Sequence, residues 1–316
     1  MKLNKIEKKV FNFIKTYKIF KKYDKILIAV SGGKDSMMLL HLLNKIAPLM
    51  ELTLSVAHFN HKIRRESDYE EEFVKKECEI LGIKFYSNSG DVIGYSNKNK
   101  IGIEEAARKL RYDFLFNTLN DISYNKIATA HQGGDLLETV IYRITRGSGI
   151  YGIGGLTPVN EKLTRPMLIV TLKDVLKYVT INNVKYVNDP SNLSVEYARN
   201  RIRHNVISEL YKINSNVEEN VLRLVETVWE YRNTVDIEFK KRVKFKENTY
   251  IFKLYEDIFD AEVLRKIFLI NGTYPPNMEE TKKILRMKSS GERFITPLKI
   301  VKKKDELFVR VEKKEE

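Results

Sequence analysis

Cysteine is nearly missing from this 316-residue chain: Cys78 stands alone. One thiol excludes an internal disulfide framework, a cysteine-rich zinc site and any chemistry that needs a pair of thiols. Long apolar runs are missing too. No stretch reaches the about 18 residues that a membrane helix requires, and the opening MKLNKIEKKVFNFIKTYKIF breaks its apolar residues with lysines, unlike a signal core. The chain is therefore expected to be soluble, unprocessed and cytoplasmic, with no membrane partner. There is no internal repeat and no low-complexity tract. Acidic residues are in deficit, 42 Asp+Glu against 56 Lys+Arg, for a formal charge of +14. Such a surface attracts polyanions, nucleic acid first among them. A Lys-rich proteome would leave the same excess, so charge alone does not identify the partner.

What is present is enough for a core: 43% of residues are hydrophobic, and the length suits two domains. From about residue 25 to 145, short strand-like runs alternate with helical patterns. The runs are Lys25 to Val30, Leu52 to Phe59, Ile83 to Ser87 and Lys126 to His131. This alternation predicts an α/β fold, a parallel sheet flanked by helices. Phe73, Val74, Cys78 and Leu81 share one face of a helix, so Cys78 reads as core. After residue 205 the alternation stops. VEENVLRLVETVWEYRNTVDIEFKKRV reads as one long helix, and the tail mixes strands (TYIFKLY, ERFITPLKI, ELFVRVEKK) with helices (DAEVLRKIFLI, NMEETKKILRM). The expected division is a catalytic domain over 1–205, a helical linker over 206–244 and a small α+β domain over 245–316.

The most informative segment is KILIAVSGGKDSMMLLHLLNKI, a buried strand that runs through Ser31-Gly32-Gly33-Lys34-Asp35-Ser36 into an apolar helix. Two glycines at the carboxyl end of a strand let backbone N–H groups turn toward an anion, and the helix start adds positive potential. A Walker A loop would need Ser or Thr after Gly33-Lys34, where this chain has Asp35. Gly147-Ser148-Gly149-Ile150-Tyr151-Gly152 satisfies the dinucleotide pattern in letters only, since it follows a helix instead of a strand, and reads as a flexible loop.

A second polar cluster, His131-Gln132-Gly133-Gly134-Asp135-Leu136-Leu137-Glu138, follows the fourth run. Strand ends of a parallel sheet collect at one edge, so His131, Asp135 and Glu138 should face the crevice of the phosphate loop. Asp135 and Glu138, three apart at a helix start, share a face and suit cation binding or acid–base work. A capping Asp and a solvated Glu would explain that pair equally well. The EEAARKLRY helix offers Glu105, Arg108, Arg111 and Tyr112; Glu104–Arg108 fits an ordinary solvated i,i+4 pair, whereas Arg111 does not. A turn at Asp189-Pro190-Ser191-Asn192 precedes the basic Arg199-Asn200-Arg201-Ile202-Arg203-His204, which suits phosphate contacts.

SGGxDS resembles the PP-loop of the ATP pyrophosphatases. The whole series, with His58-Phe59-Asn60-His61 followed by Arg64, EEAARKLRY, AHQGGDLLET followed by RGSG, and NDPSN…RNRIRH, is similar in order and spacing to the tRNA(Ile)-lysidine synthetases over about the first 205 residues. That resemblance implies an ATP-dependent ligase. ATP would adenylate the C2 oxygen of the wobble cytidine in the CAU anticodon of tRNA(Ile), and the ε-amine of L-lysine would then displace AMP to give lysidine. It implies ATP phosphates at Ser31, Gly32, Gly33, Lys34, Asp35 and Ser36, with Mg²⁺ at Asp35. It also implies lysine at Asp135 and Glu138, charge stabilisation by Arg111 and His131, and phosphate contacts from Arg201 and Arg203. One departure stands out: Gly134 takes the place of the first acid of an Asp-Asp pair. His58 and His61, which lack nearby thiols, read as shaping the ATP pocket.

Two rivals remain. Another PP-loop tRNA-modifying enzyme, such as a thiolase, generally needs several cysteines, which Cys78 cannot supply. A non-catalytic RNA-binding protein would keep the charge but has no use for Asp35, His131, Asp135 and Glu138 together. A homodimer is compatible with the sequence, but nothing in it specifies one.

Overall fold

The computed structural model describes residues 2–62, 67–187 and 198–312; Arg64 and the Asp189 to Asn192 turn lie outside them. The chain divides into two compact units, 1–226 and 227–316.

The first unit opens with α1 (Lys5–Thr16), whose start is closed by a capping box. Asn4 Oδ1 accepts the Ile6 and Glu7 amides while Glu7 takes the Asn4 N–H. Then come β1 (Lys25–Ala29), α2 (Lys34–Met50), β2 (Thr53–Asn60), α3 (Ser67–Leu81), β3 (Lys84–Ser89), α4 (Val92–Asn99), α5 (Ile103–Asp121), β4 (Lys126–Ala128) and α6 (Gly133–Thr145). They are followed by α7 (Ile150–Ile153), β5 (Val159–Asn160), β6 (Leu163–Thr164) and α8 (Leu172–Ile181). After these, α9 (Ala198–Arg201), a π-helical turn (Ile202–Ile207) and α10 (Ser208–Ile213) form one winding path into α11 (Val217–Arg242).

The sheet runs β3-β2-β1-β4-β6-β5, parallel throughout except for the short β5–β6 pair. The parallel α/β expectation therefore holds. β1 has β2 on one side and β4 on the other, so the order reverses between β1 and β4. In such sheets that reversal opens a crevice at the strands' carboxyl ends. The loops after β1 and β4 carry the two polar clusters. Central strands covered on both faces read as continuous apolar runs, and Ile26, Leu27 and Ile28 of β1 are all fully buried. Cys78 is buried, and burial pushes its thiol up to about 12, in keeping with a core residue.

Three readings need correction. The fourth strand stops at Ala128, because Thr129 to Gln132 leave the ladder to build the α6 start. The GxGxxG segment is not wholly a loop, since α7 coils within it and Arg143 binds the Gly152 carbonyl. ERFITPLKI is two strands.

The second unit holds β7 (Val243–Lys246), β8 (Thr249–Lys253), α12 (Ile258–Ile270), α13 (Met278–Leu285), β9 (Glu292–Ile295), β10 (Leu298–Lys303) and β11 (Glu306–Val311). Its sheet is antiparallel, ordered β7-β8-β11-β10-β9. One face carries Tyr250, Phe252, Leu298, Ile300, Leu307 and Val309, which pack with Val263, Leu264, Ile267 and Phe268 of α12 and Ile284 of α13. Residues of the opposite parity include Lys244, Lys246, Lys299 and Arg310.

Candidate active site

The turn from β1 into α2 is shaped for an anion. Gly32 has φ +94°, a conformation that side chains resist, and an added Cβ would touch Val74 at 3.5 Å. Ser36 Oγ accepts the Ser31 amide at 3.2 Å and donates to the Gly33 carbonyl at 2.9 Å, locking the turn. Gly33 caps this 17-residue helix without a side-chain hydrogen bond, so the cap residue itself brings no side-chain acceptor to the first amides. Val187 N–H closes on the Gly32 carbonyl at 2.9 Å. Asp35 Oδ1 is buried with no hydrogen-bond partner among the described residues. Burial pushes this carboxyl up to about 6, with Asp135 adding to the rise and Lys34 and Arg203 opposing it.

The opposite wall rises from β4. Thr129 Oγ1 meets His131 Nδ1 at 2.8 Å. Gln132 caps α6: its Oε1 accepts the Gly134 amide at 2.7 Å, and Asp135 Oδ2 accepts the Gln132 amide at 2.9 Å. The other Asp135 oxygen lies 3.7 Å from Arg203 Nη2. Glu138 is nearly buried, and its Oε2 accepts from Arg203 Nη2 at 2.6 Å and Nε at 3.1 Å. The π-helical turn brings Arg203 to both acids, an irregularity often found at functional sites. Glu104, Arg108, His131, Asp135, Glu138, Thr139, Leu156, Asn200 and Arg203 line the cleft.

Other expected residues stand nearby. Arg111 does not line this cleft; it lies close to Tyr112, its Cζ 5.6 Å from the ring centroid, with Arg108 at 4.8 Å from the same ring. Burial, and then Arg111 and His58, hold the His61 imidazole down to about 4. His58 Nδ1 pairs with the Val30 carbonyl at 2.9 Å, directly before the phosphate loop. Arg201 is exposed. No carboxylate stands at position 134, where the space beside the Cα is bordered by the side chains of Gln132 and Glu218.

The structure thus brings His131, Asp135, Glu138 and Arg203 together, and the Asp35–Asp135 and Asp35–Arg203 interactions tie them to the loop. Leu156 was not singled out by the sequence, Thr139 and Asn200 stood only within longer motifs, and Glu104 and Arg108 read together as a solvated pair. Glu104 and Arg108 stand one turn apart, a pattern that does not distinguish a face turned to solvent from one bordering a cleft. Asp35 supplies one orphaned oxygen, which fits a cation shared with a phosphate. Among the described residues no group of three His, Cys, Asp or Glu could hold a metal unaided.

The PP-loop domain family model matches residues 2–210. A tRNA(Ile)-lysidine synthase of Petrotoga mobilis is 51% identical over 311 residues, covering 98% of this chain and all of that protein. Those of Thermosipho africanus and Thermotoga maritima are 40% and 38% identical over 74% and 76% of this chain; it spans only 56% and 57% of their lengths. In structure, a U34-tRNA thiolase from Methanococcus maripaludis superposes with a TM-score of 0.60 at 19% identity, covering 71% of this chain and 78% of its own, a likeness of fold alone.

Proposed function

This chain belongs to the PP-loop tRNA(Ile)-lysidine synthase family, and from that premise we propose that it joins L-lysine to the wobble cytidine of a CAU-anticodon tRNA(Ile) at the expense of ATP. The observation that carries this reading is a phosphate-shaped loop beside a doubly acidic cleft, in a chain that matches such a synthase from end to end.

ATP phosphates would lie against the Ser31–Ser36 turn, where backbone amides and Lys34 offset their charge. Mg²⁺ bound to them would be shared by Asp35 Oδ1 and would neutralise the departing pyrophosphate. The cytidine C2 oxygen attacks the α-phosphorus and pyrophosphate leaves. The lysine ε-amine then attacks C2, loses a proton, and AMP departs.

Free lysine has a pKa of about 10.4, so only about one part in two thousand is neutral amine at pH 7. Asp135 and Glu138 would hold the ammonium and accept its proton, with Arg203, already seated between them, taking up phosphate charge. His131 in the cleft would steady the adenylated base, with Arg111 adding positive charge from outside its lining. Arg201 and the basic residues of the second unit would hold the tRNA backbone. The orphaned Asp35 oxygen and the twofold Arg203 contact to Glu138 support these assignments.

The test incubates protein with ATP, Mg²⁺, radiolabelled lysine and a CAU-bearing isoleucine tRNA transcript. Label should enter that RNA with AMP release, and not a transcript with the wobble cytidine replaced. AMP release without label would favour another PP-loop modification, and neither signal would leave only RNA binding.

A further inference from the structure

Glu218 has no part in the reaction outlined above, yet it is among the most enclosed charged groups near the cleft. It stands in the first turn of α11, 4% exposed. Its Oε2 accepts the Leu172 amide, the first of α8, at 2.9 Å, and its Oε1 accepts the Tyr211 hydroxyl. The same Oε1 lies 3.2 Å from where a Cβ would stand on Gly134, a point the Gln132 side chain approaches to 3.1 Å, and Oε2 lies 3.5 Å from the corresponding point on Gly133. Gly133 N–H also reaches the Val170 carbonyl at 2.7 Å, and a Cβ there would be 3.0 Å from that oxygen. Neither glycine has a left-handed φ. What they supply is room: the starts of α6, α8 and α11 converge around one buried carboxylate.

That convergence is packed as well as bonded. Val217 and Val221 of α11 and Tyr211 pack against Leu137 of α6 and Ile202 and Ile207 of the π-helical turn. The first turn of α11 therefore touches both the helix bearing Asp135 and the turn bearing Arg203. Asp174 and Asp135 are the carboxylates that bear on Glu218; burial raises its proton affinity most, and these two add to it.

We propose that Glu218 is a positioning residue for the lysine-transfer step, holding the Gln132–Asp135 capping turn from behind in space that glycine at 134 leaves open. It thereby sets where the Asp135 carboxylate lies in the cleft. The proposal rests on the function proposed above. An acidic side chain at 134 would meet Glu218 as well as the Gln132 cap.

The experiment measures steady-state lysine transfer, ATP KM and Tm for the native protein, Glu218→Ala, Glu218→Gln, Gly134→Asp and the double variant Gly134→Asp/Glu218→Ala. Glu218→Ala should lower kcat by about ten- to a hundredfold, the scale of an ångström's misplacement, with the ATP KM unchanged. Glu218→Gln, which still offers an acceptor to the Leu172 amide, should retain more activity than Glu218→Ala. Gly134→Asp should be harmful in both backgrounds, and more so beside Glu218 than in Glu218→Ala. An unchanged kcat in Glu218→Ala overturns the proposal. So does a loss that tracks Tm and ATP binding together, or equal harm from Gly134→Asp in both backgrounds. A native protein that transfers no lysine overturns the proposed function and this inference with it, whereas with an active native protein any of the failures above overturns the role of Glu218 alone.

Discussion

Asp35 pulls against the stability of the fold that holds it. Its carboxyl is raised from 3.8 to about 6, chiefly by burial, so the folded chain binds the proton more tightly than the unfolded one. The stability this contributes is fully present below the unfolded value and is lost as pH rises through about 6. Asp35→Asn should therefore stabilise the ligand-free protein at pH 7.5 by on the order of 2 kcal/mol and hardly at all at pH 4, while costing about a hundredfold or more in ATP-dependent transfer. Thermal unfolding at the two pH values checks this; equal shifts at both would refute it. His61 works in the opposite direction. Its imidazole is held down to about 4, so its contribution is present above the unfolded value and lost as pH falls toward 4, and its NMR resonances should stay those of the neutral ring until then. Arg203→Ala should remove the two-nitrogen grip on the buried Glu138 carboxylate and with it lysine transfer, and Arg203→Lys should rescue little, because an ammonium cannot reproduce that grip. At this scale the sequence was informative where chemistry and spacing coincide, as at Ser31 to Ser36 and at Asp135 with Glu138. It was silent on Glu218, whose part depends on a contact 84 positions away from Gly134.

Among the elements, the loop between β1 and α2 is the least replaceable. Gly32→Ala would force a side chain into φ +94°, at about 1 kcal/mol or more, and a urea titration should show that loss together with a raised ATP KM. The π-helical turn has a different vulnerability. Deleting one residue from Ile202–Ile207 would restore regular winding and change the direction in which Arg203 leaves the segment, so crystallography of the variant should find the Arg203–Glu138 contact broken. Strands at the sheet centre were legible because burial on both faces writes an unbroken apolar run, as in β1. β5 and β6, two residues each, are too short to leave a period. β7 was hidden because Val243–Lys246 follows α11 with no break in the pattern of charge and apolar residues. β9 and β10 merged because the reversal at Thr296-Pro297 carries no glycine.

For the whole molecule, the excess of 14 positive charges should appear as a steep loss of tRNA affinity with salt. Replacing Lys244, Lys246 and Arg310 together by Glu should weaken tRNA binding about tenfold in filter-binding assays and leave the ATP KM as it was; unchanged affinity would remove the second unit from the proposed RNA contacts. The two-part organisation was legible from the end of the alternation, and the U34-tRNA thiolase likeness underlines that such a fold does not choose the chemistry. The single buried cysteine, unlike the sheet, speaks against sulfur transfer. The 26 residues of α11 form one uninterrupted helix. A continuous helix couples length to angle: each inserted residue adds about 1.5 Å and about 100° together. A residue inserted between Glu218 and Val221 therefore turns the carboxylate that accepts the Leu172 amide and the side chain packed beside Leu137 about 100° out of step with one another.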